Sequence, residues 1–182
     1  QFLGLTGGRL DGAECLATGL ATHYIHSDRL EVVKEQIVLH PEGLARILDN
    51  AIEPAPAAKI MDRLPDINRL FASDRLEDIL EALEADPSEW AQEQLAILRT
   101  KSPLSCKVTL RLLVVSPHFG SFTDEMRLEF GIIHRMFRQH DFIEGVRALL
   151  IDKDNNPRWK PATPAEVTDA LVNSIFEPLT KE

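Results

Sequence analysis

Apolar residues at helical spacing recur along most of this 182-residue chain, and this periodicity constrains the fold more than any other feature. Leu76, Ile79, Leu80 and Leu83 lie at positions i, i+3, i+4 and i+7, the pattern of a helix with one buried face. The same kind of spacing returns in residues 104–115, 126–137 and 167–175. We therefore predict a mainly α fold, with one short strand near residues 20–25.

Three capping signals predict where helices begin. Residues 11–14 (Asp-Gly-Ala-Glu) and 163–166 (Thr-Pro-Ala-Glu) have the spacing of a capping box, in which two side chains bind backbone N–H groups of the first turn. Ser102 is followed by Pro103, a residue favoured at the first helical position because the N–H that it lacks has no partner there anyway. Helices are expected directly after each signal.

Composition limits the classes of partner. The net charge of -9 argues against direct, sequence-specific binding of nucleic acid, which needs clustered Lys and Arg side chains. No run approaches the eighteen apolar residues of a membrane span, so no membrane partner is predicted. Cys15 and Cys106 both lie in apolar helical patterns. Two buried free thiols are the favoured interpretation, and a disulfide is the alternative.

Motifs for catalysis or metal binding are sparse. The chain has no G-x-S-x-G elbow, no P-loop and no G-x-G-x-x-G turn. His134 and His140 are six residues apart, so a helix would place them on different faces, unlike zinc ligands at i, i+4. We predict no metal site.

Trp159 lies between Arg158 and Lys160 in a loop bounded by prolines. Its ring could stack on an aromatic base while the flanking cations bind phosphates. It could instead pack the loop onto the helical core, and the residues by themselves favour this packing role.

Two segments carry a family resemblance. Residues 5–14 and 19–23 resemble the segment that closes the catalytic core of the crotonase superfamily. Residues 141–148 (Asp-Phe-Ile-Glu-Gly-Val-Arg-Ala), followed by residues 151–161 (Ile-Asp-Lys-Asp-Asn-Asn-Pro-Arg-Trp-Lys-Pro), resemble the C-terminal signature of the 3-hydroxyisobutyryl-CoA hydrolase family. The resemblance extends over essentially the whole chain.

This resemblance implies a division of the fold and of the chemistry. Residues 1–30 would end a crotonase-like α/β core, and residues 31–182 would form the helical C-terminal region of the hydrolase branch. The family hydrolyses a coenzyme A thioester in valine breakdown, using two backbone N–H groups as an oxyanion hole and acidic side chains. Those groups would precede residue 1, so we assign no catalytic residue here. The implied partner is the N-terminal crotonase core of the same protein.

The resemblance also implies contacts with the substrate. In crotonase relatives an aromatic residue and a lysine near the last helices contact coenzyme A, and the matching positions are Trp159 and Lys160, with Lys153 nearby. Coenzyme A would enter as part of an acyl-CoA substrate of the parent protein, and no cofactor is implied. One position departs from the family pattern: Gly131 stands where an arginine is usual.

Two functions follow from the resemblance. The chain is either the C-terminal part of an acyl-CoA thioester hydrolase, or a non-catalytic paralogue with a structural role, such as one among mitochondrial ribosomal small-subunit proteins. Residues 1–5 lack the features of a targeting segment, so any such segment is expected to have been removed or to lie upstream. The ending Thr180-Lys181-Glu182 differs from a Ser-Lys-Leu peroxisomal signal. We therefore expect a mitochondrial protein, with the peroxisome as the alternative.

Overall fold

The computed structural model describes residues 1–179, which divide into two compact units. The larger unit contains residues 1–8 and the chain from residue 67 onward, and the smaller unit contains residues 9–66. The predicted division at residue 30 follows a family pattern rather than packing, and it stays a prediction.

Residues 1–179 form eleven α-helices: α1 (Phe2–Thr6), α2 (Gly12–Ala17), α3 (Leu30–Leu39), α4 (Leu44–Asp49), α5 (Leu64–Leu70), α6 (Leu76–Ala85), α7 (Glu89–Arg99), α8 (Pro103–Val115), α9 (Phe122–Met136), α10 (His140–Val146) and α11 (Asp169–Phe176). Short 3₁₀ turns lie at Ser27–Arg29, Pro41–Gly43, Lys59–Arg63, Ser116–His118 and Pro164–Glu166. A π-helical turn at Arg147–Ile151 extends α10. No helix within the described residues is both long and apolar enough to cross a membrane.

Helix α8 is the centre of the larger unit because it is buried on two faces. Cys106 and Leu110 face one apolar cluster, built mainly from α6 and α7. Leu104 and Val108 face a second cluster, which includes Ile132 of α9 and the buried residues of α11. Each pair is spaced i, i+4, so two stripes run along one helix, and a helix that is apolar on more than one face belongs inside a core.

The capping predictions have different outcomes. The capping box of residues 11–14 is formed in full, and Ser102 caps α8 by accepting a hydrogen bond from the Ser105 N–H at 3.1 Å. The box predicted at residues 163–166 is wrong as a helix start. Pro164–Glu166 forms an isolated 3₁₀ turn, and the extended backbone of Val167 separates this turn from α11. Helix α11 begins after Thr168, whose side chain caps it.

The smaller unit has few buried apolar side chains, and hydrogen bonds join segments of it that are distant in the sequence. Its buried apolar residues are Ala13, Val33 and Ala51. The side chain of Glu14, besides closing its capping box, accepts a hydrogen bond from the Ile60 N–H at 3.0 Å.

The predicted strand near residues 20–25 is wrong, and residues 1–179 contain no β-strand at all. The N–H groups of Leu20 and Ala21 both bind the carbonyl oxygen of Cys15, at 2.9 and 3.0 Å, so this end of the segment terminates α2. Further along, Tyr24 accepts one backbone bond from Glu53, at 2.9 Å. A strand needs a ladder of such bonds to a neighbour, and none forms here.

Gly131 is buried in the middle of α9. A Cβ atom added there would lie 3.8 Å from both the Arg135 guanidinium and the Leu179 side chain, which is ordinary van der Waals contact. The backbone is helical, so glycine has no conformational advantage at this position.

We expect Gly131→Ala to raise the free energy of unfolding by about 0.5–1 kcal/mol, because alanine loses less backbone entropy than glycine in a helix. Chemical denaturation would measure the change. The matched control is Gly7→Ala in the same unit. Gly7 has a φ of 71° at the end of α1, so alanine there should lower stability by about 1 kcal/mol. Equal effects of the two variants would contradict the prediction.

Candidate functional site

The C-terminal loop, defined as residues 152–161, carries all three predicted coenzyme A contacts. It leaves the π-helical turn through Lys153 and Asn155, whose φ values of 55° and 52° lie in the left-handed region. The Asn155 N–H binds the Ala148 carbonyl at 3.1 Å, and the Asn156 N–H binds the Asp154 carboxylate at 2.9 Å. Short polar side chains that bind nearby backbone are typical of such turns.

Arg147 connects helix α10 to this loop. Its Nε and Nη2 atoms donate to the Glu144 carboxylate at 3.0 and 2.8 Å. Its Nη1 atom donates to Asp152 and to Asp154, each at 2.7 Å, and Nη2 also reaches the Asn156 carbonyl at 3.2 Å. A planar guanidinium group can bind these three carboxylates and one carbonyl together because its N–H donors point in fixed directions.

Glu144 is buried, with 9% of its surface exposed, and it also accepts a hydrogen bond from the Arg158 N–H at 2.7 Å. Hydrogen bonds from Arg147 and from this backbone N–H lower the pKa of Glu144 to about 2. Hydrogen bonds to Glu144, Asp154 and Asp152 raise the pKa of Arg147 above its ordinary value. In return, Arg147 lowers the pKa of Asp154. The charges are therefore fixed over the whole neutral range.

Asp141 attaches the other end of the loop to helix α8. It is only 4% exposed, and its carboxylate accepts from the Lys160 N–H at 2.7 Å and from the Ser102 hydroxyl at 2.5 Å. The His140 ring nitrogen lies 3.3 Å from the same carboxylate. Ser102 thus caps α8 and binds α10 at once.

Trp159 is half-buried between the loop and the helices. Its indole N–H donates to the Thr100 carbonyl at 2.9 Å, and its ring lies against Gly145, where an added Cβ would be 3.4 Å from the ring edge. Trp159 also lines an apolar groove of about 340 Å³. The other lining residues are Ser102, Ser105, Met136, Asp141, Phe142, Gly145, Val146, Leu149 and Leu150.

The structure separates the three predicted contacts into a groove residue and two surface cations. Lys153 and Lys160 are exposed, and neither lines the groove. Lys160 contributes its backbone N–H to Asp141, while its ammonium group forms no salt bridge within residues 1–179. The three residues share the C-terminal loop, but their assignment as coenzyme A contacts stays a prediction.

Three buried or half-buried side chains of this site were not predicted as functional: Asp141, Glu144 and Arg147. They lie at i, i+3 and i+6 on one helix, a spacing that brings successive side chains onto neighbouring positions. This spacing, followed by the two aspartates Asp152 and Asp154 at the start of the loop, is the signal that could have revealed them. Their polar atoms bind the loop or α8, so their role is to hold the loop. No group of three metal-binding side chains occurs among residues 1–179.

The lowered pKa of Glu144 predicts how its contribution to stability changes with pH. Its folded-state pKa, about 2, lies below the ordinary 4.5, so its contribution to stability is complete above pH 4.5 and is lost as the pH falls toward 2. Glu144→Gln should lower the melting temperature clearly at pH 7, and the difference from the wild type should shrink between pH 4.5 and pH 2. Thermal unfolding across this pH range measures it.

Glu93→Gln is the matched control for Glu144→Gln. Glu93 is an exposed glutamate of the same unit, and its side chain forms no hydrogen bond or ion pair within the described residues, so its replacement removes one charge and no polar contact. Its melting temperature should follow the wild type at every pH. A Glu144→Gln difference that stays constant down to pH 2 would argue against the linkage.

Comparison with known proteins identifies the family. The family model described as Enoyl-CoA hydratase/isomerase matches residues 1–176. The 3-hydroxyisobutyryl-CoA hydrolase, mitochondrial, of Gallus gallus is 38% identical over 98% of this chain and 49% of its own length. Its counterpart in Homo sapiens is 36% identical over 98% of this chain and 48% of its own length. The chain therefore spans about half the length of these relatives.

Solved structures agree with this assignment. A carnitinyl-CoA dehydratase from Mycobacterium thermoresistibile superposes with a TM-score of 0.85 at 31% identity, over 98% of this chain and 51% of that chain. An enoyl-CoA hydratase from Rhodobacter sphaeroides gives a TM-score of 0.79 at 31% identity with the same coverage. The chain belongs to the enoyl-CoA hydratase/isomerase family, and its predicted resemblance to the 3-hydroxyisobutyryl-CoA hydrolases is confirmed.

Proposed function

We propose that this chain is the C-terminal part of an acyl-CoA thioester hydrolase of the 3-hydroxyisobutyryl-CoA hydrolase type, active only together with an N-terminal half. The observation that carries the proposal is coverage: 98% of the chain aligns with about half of each hydrolase. The proposed substrate is the thioester that gives those relatives their name, and the catalytic groups belong to the part that precedes residue 1.

The chemistry of the C-terminal loop supports this assignment of roles. A general acid or base needs a pKa near the working pH and a free path to its substrate. The pKa of Glu144 is lowered to about 2, and its carboxylate is occupied by Arg147 and the Arg158 N–H. Asp141 is occupied by Ser102 and Lys160 in the same way. Both carboxylates are suited to holding the loop.

Coenzyme A contact by Lys153, Trp159 and Lys160 is the proposed role of the loop surface. The two exposed ammonium groups are free to meet phosphates, while the indole offers a flat apolar face along the groove. Arg147 holds the first part of the loop and Asp141 holds its end, so these groups stay on one short, anchored segment. A mitochondrial location is proposed from the names of the relatives. The ending considered for a peroxisomal signal, residues 180–182, lies outside the described residues.

The non-catalytic role in a mitochondrial ribosomal small subunit stays a prediction. Gly131 favours it over hydrolysis, because the resemblance implies an arginine at this position and glycine leaves α9 without that charge. The two functions differ in whether an intact N-terminal half restores hydrolysis.

We expect the 182-residue chain alone to release coenzyme A from 3-hydroxyisobutyryl-CoA no faster than buffer does. The reason is that the proposal assigns the oxyanion hole to the N-terminal half. Chromatography should quantify the released coenzyme A, since the free thiols of Cys15 and Cys106 would disturb a thiol reagent. The same chain joined to a hydrolase N-terminal half should turn over the substrate. Turnover by the chain alone would contradict the proposal.

The coenzyme A contacts are tested in the joined protein. Lys153→Ala and Lys160→Ala should each raise the Kd for coenzyme A by roughly 5-fold, the size of one exposed ion pair, without changing the melting temperature. Calorimetric titration measures the affinity. Lys34→Ala is the control, because Lys34 is an exposed lysine of the smaller unit that pairs with Glu31. Unchanged affinity in both loop variants would remove the lysines from the proposed site.

A further inference from the structure

An exposed apolar stripe runs along helix α9. It consists of Phe122, Met126, Phe130, Ile133 and Phe137, whose exposed fractions are 74, 37, 63, 48 and 54%. Their spacing of four, four, three and four residues places them on one face of the helix. At its end the stripe continues onto α10, because the rings of Phe137 and Phe142 lie 4.4 Å apart between centroids.

The same helix already buries a different face. Ile132 is 6% exposed and belongs to the second apolar cluster, with Leu128 and Met136 packed against that cluster at i-4 and i+4. A surface helix of a globular protein normally has one apolar face and one polar face. Helix α9 has two apolar faces, of which the structure covers one.

A groove beside the stripe strengthens the case for an interface. It has a volume of about 610 Å³, and Met126 and Phe130 form one wall while Phe176, Pro178 and Leu179 form another. The guanidinium group of Arg135 holds that second wall in place by donating to the carbonyl oxygens of Glu177 and Pro178. Contiguous apolar surface with concave relief is typical of protein–protein contact sites.

We propose that the α9 stripe is the docking surface for the half of the family fold that this chain does not span. The relatives supply the argument for this occupant. The dehydratase that superposes on 98% of this chain has a similar length of polypeptide beyond the matched region, in the same molecule. That second half would meet the stripe at the high effective concentration of a joined chain. The proposal rests on the proposed function and names the surface that joins the two parts.

Cysteine accessibility tests the stripe directly. In a background in which Cys15 and Cys106 are replaced by alanine, Phe130→Cys and Ile133→Cys place reporter thiols on the stripe. Each variant is prepared as the 182-residue chain and as a fusion behind the unmatched half of the Gallus gallus hydrolase. Ile97→Cys is the matched control, because Ile97 is an exposed apolar residue of α7, 38% exposed, away from the stripe.

Maleimide should label both stripe thiols rapidly in the 182-residue chain and roughly 10-fold or more slowly in the fusion, because burial restricts labelling to transient openings. The Ile97→Cys thiol should be labelled at the same rate in both. Circular dichroism identifies any variant that fails to fold. Equal labelling of the stripe in chain and fusion would overturn the proposal. Sedimentation of the 182-residue chain measures whether it forms a dimer. A dimer in which the stripe thiols are protected would assign the surface to a second copy of this chain and overturn the proposal.

The fusion separates this inference from the proposed function. Restored hydrolysis of 3-hydroxyisobutyryl-CoA with a stripe that is still labelled would overturn the docking surface and leave the function standing. A protected stripe without hydrolysis would support the docking surface and count against the enzyme.

Discussion

The burial of helix α8 on two sides is the constraint on which the larger unit depends. Leu104 and Val108 pack into one cluster, and Cys106 and Leu110 pack into the other, so neither cluster forms without this helix. Burial also raises the pKa of the Cys106 thiol to about 11, which keeps it neutral inside the core. The first residue before α8, Ser102, binds Asp141 as well. The start of one central helix therefore positions both the core and the C-terminal loop.

Much of this arrangement was predictable because it depends on local spacing. The i, i+3, i+4, i+7 pattern from Leu76 to Leu83 gives α6, whose Leu76, Ile79 and Leu83 are buried. The Ser102–Pro103 start of α8 was predictable for the same reason, since a cap involves only residues of the first turn. The family was recognisable from residues 141–161, because that segment combines a helix spacing with an unusual loop.

What could not be predicted depends on contacts between distant residues. The segment at residues 20–25 has an extended, apolar character, but a strand also needs a neighbour, and nothing in the sequence says whether one is present. Residues 163–166 have the sequence pattern of a capping box, but the extended backbone of Val167 separates them from α11. The C-terminal loop contacts α10 and Thr100 through hydrogen bonds between residues far apart in the sequence, such as Trp159 with Thr100, and no local pattern predicts them.

The hydrogen bonds of Arg147 to Glu144, Asp152 and Asp154 affect how members of this family are recognised from sequence. Within residues 141–161, five charged side chains bind one another or the neighbouring backbone: Asp141, Glu144, Arg147, Asp152 and Asp154. A relative that had lost its chemistry would still need them in order to fold. A search for this segment therefore detects how α10 and the C-terminal loop are held together, and it finds active enzymes and inactive relatives alike.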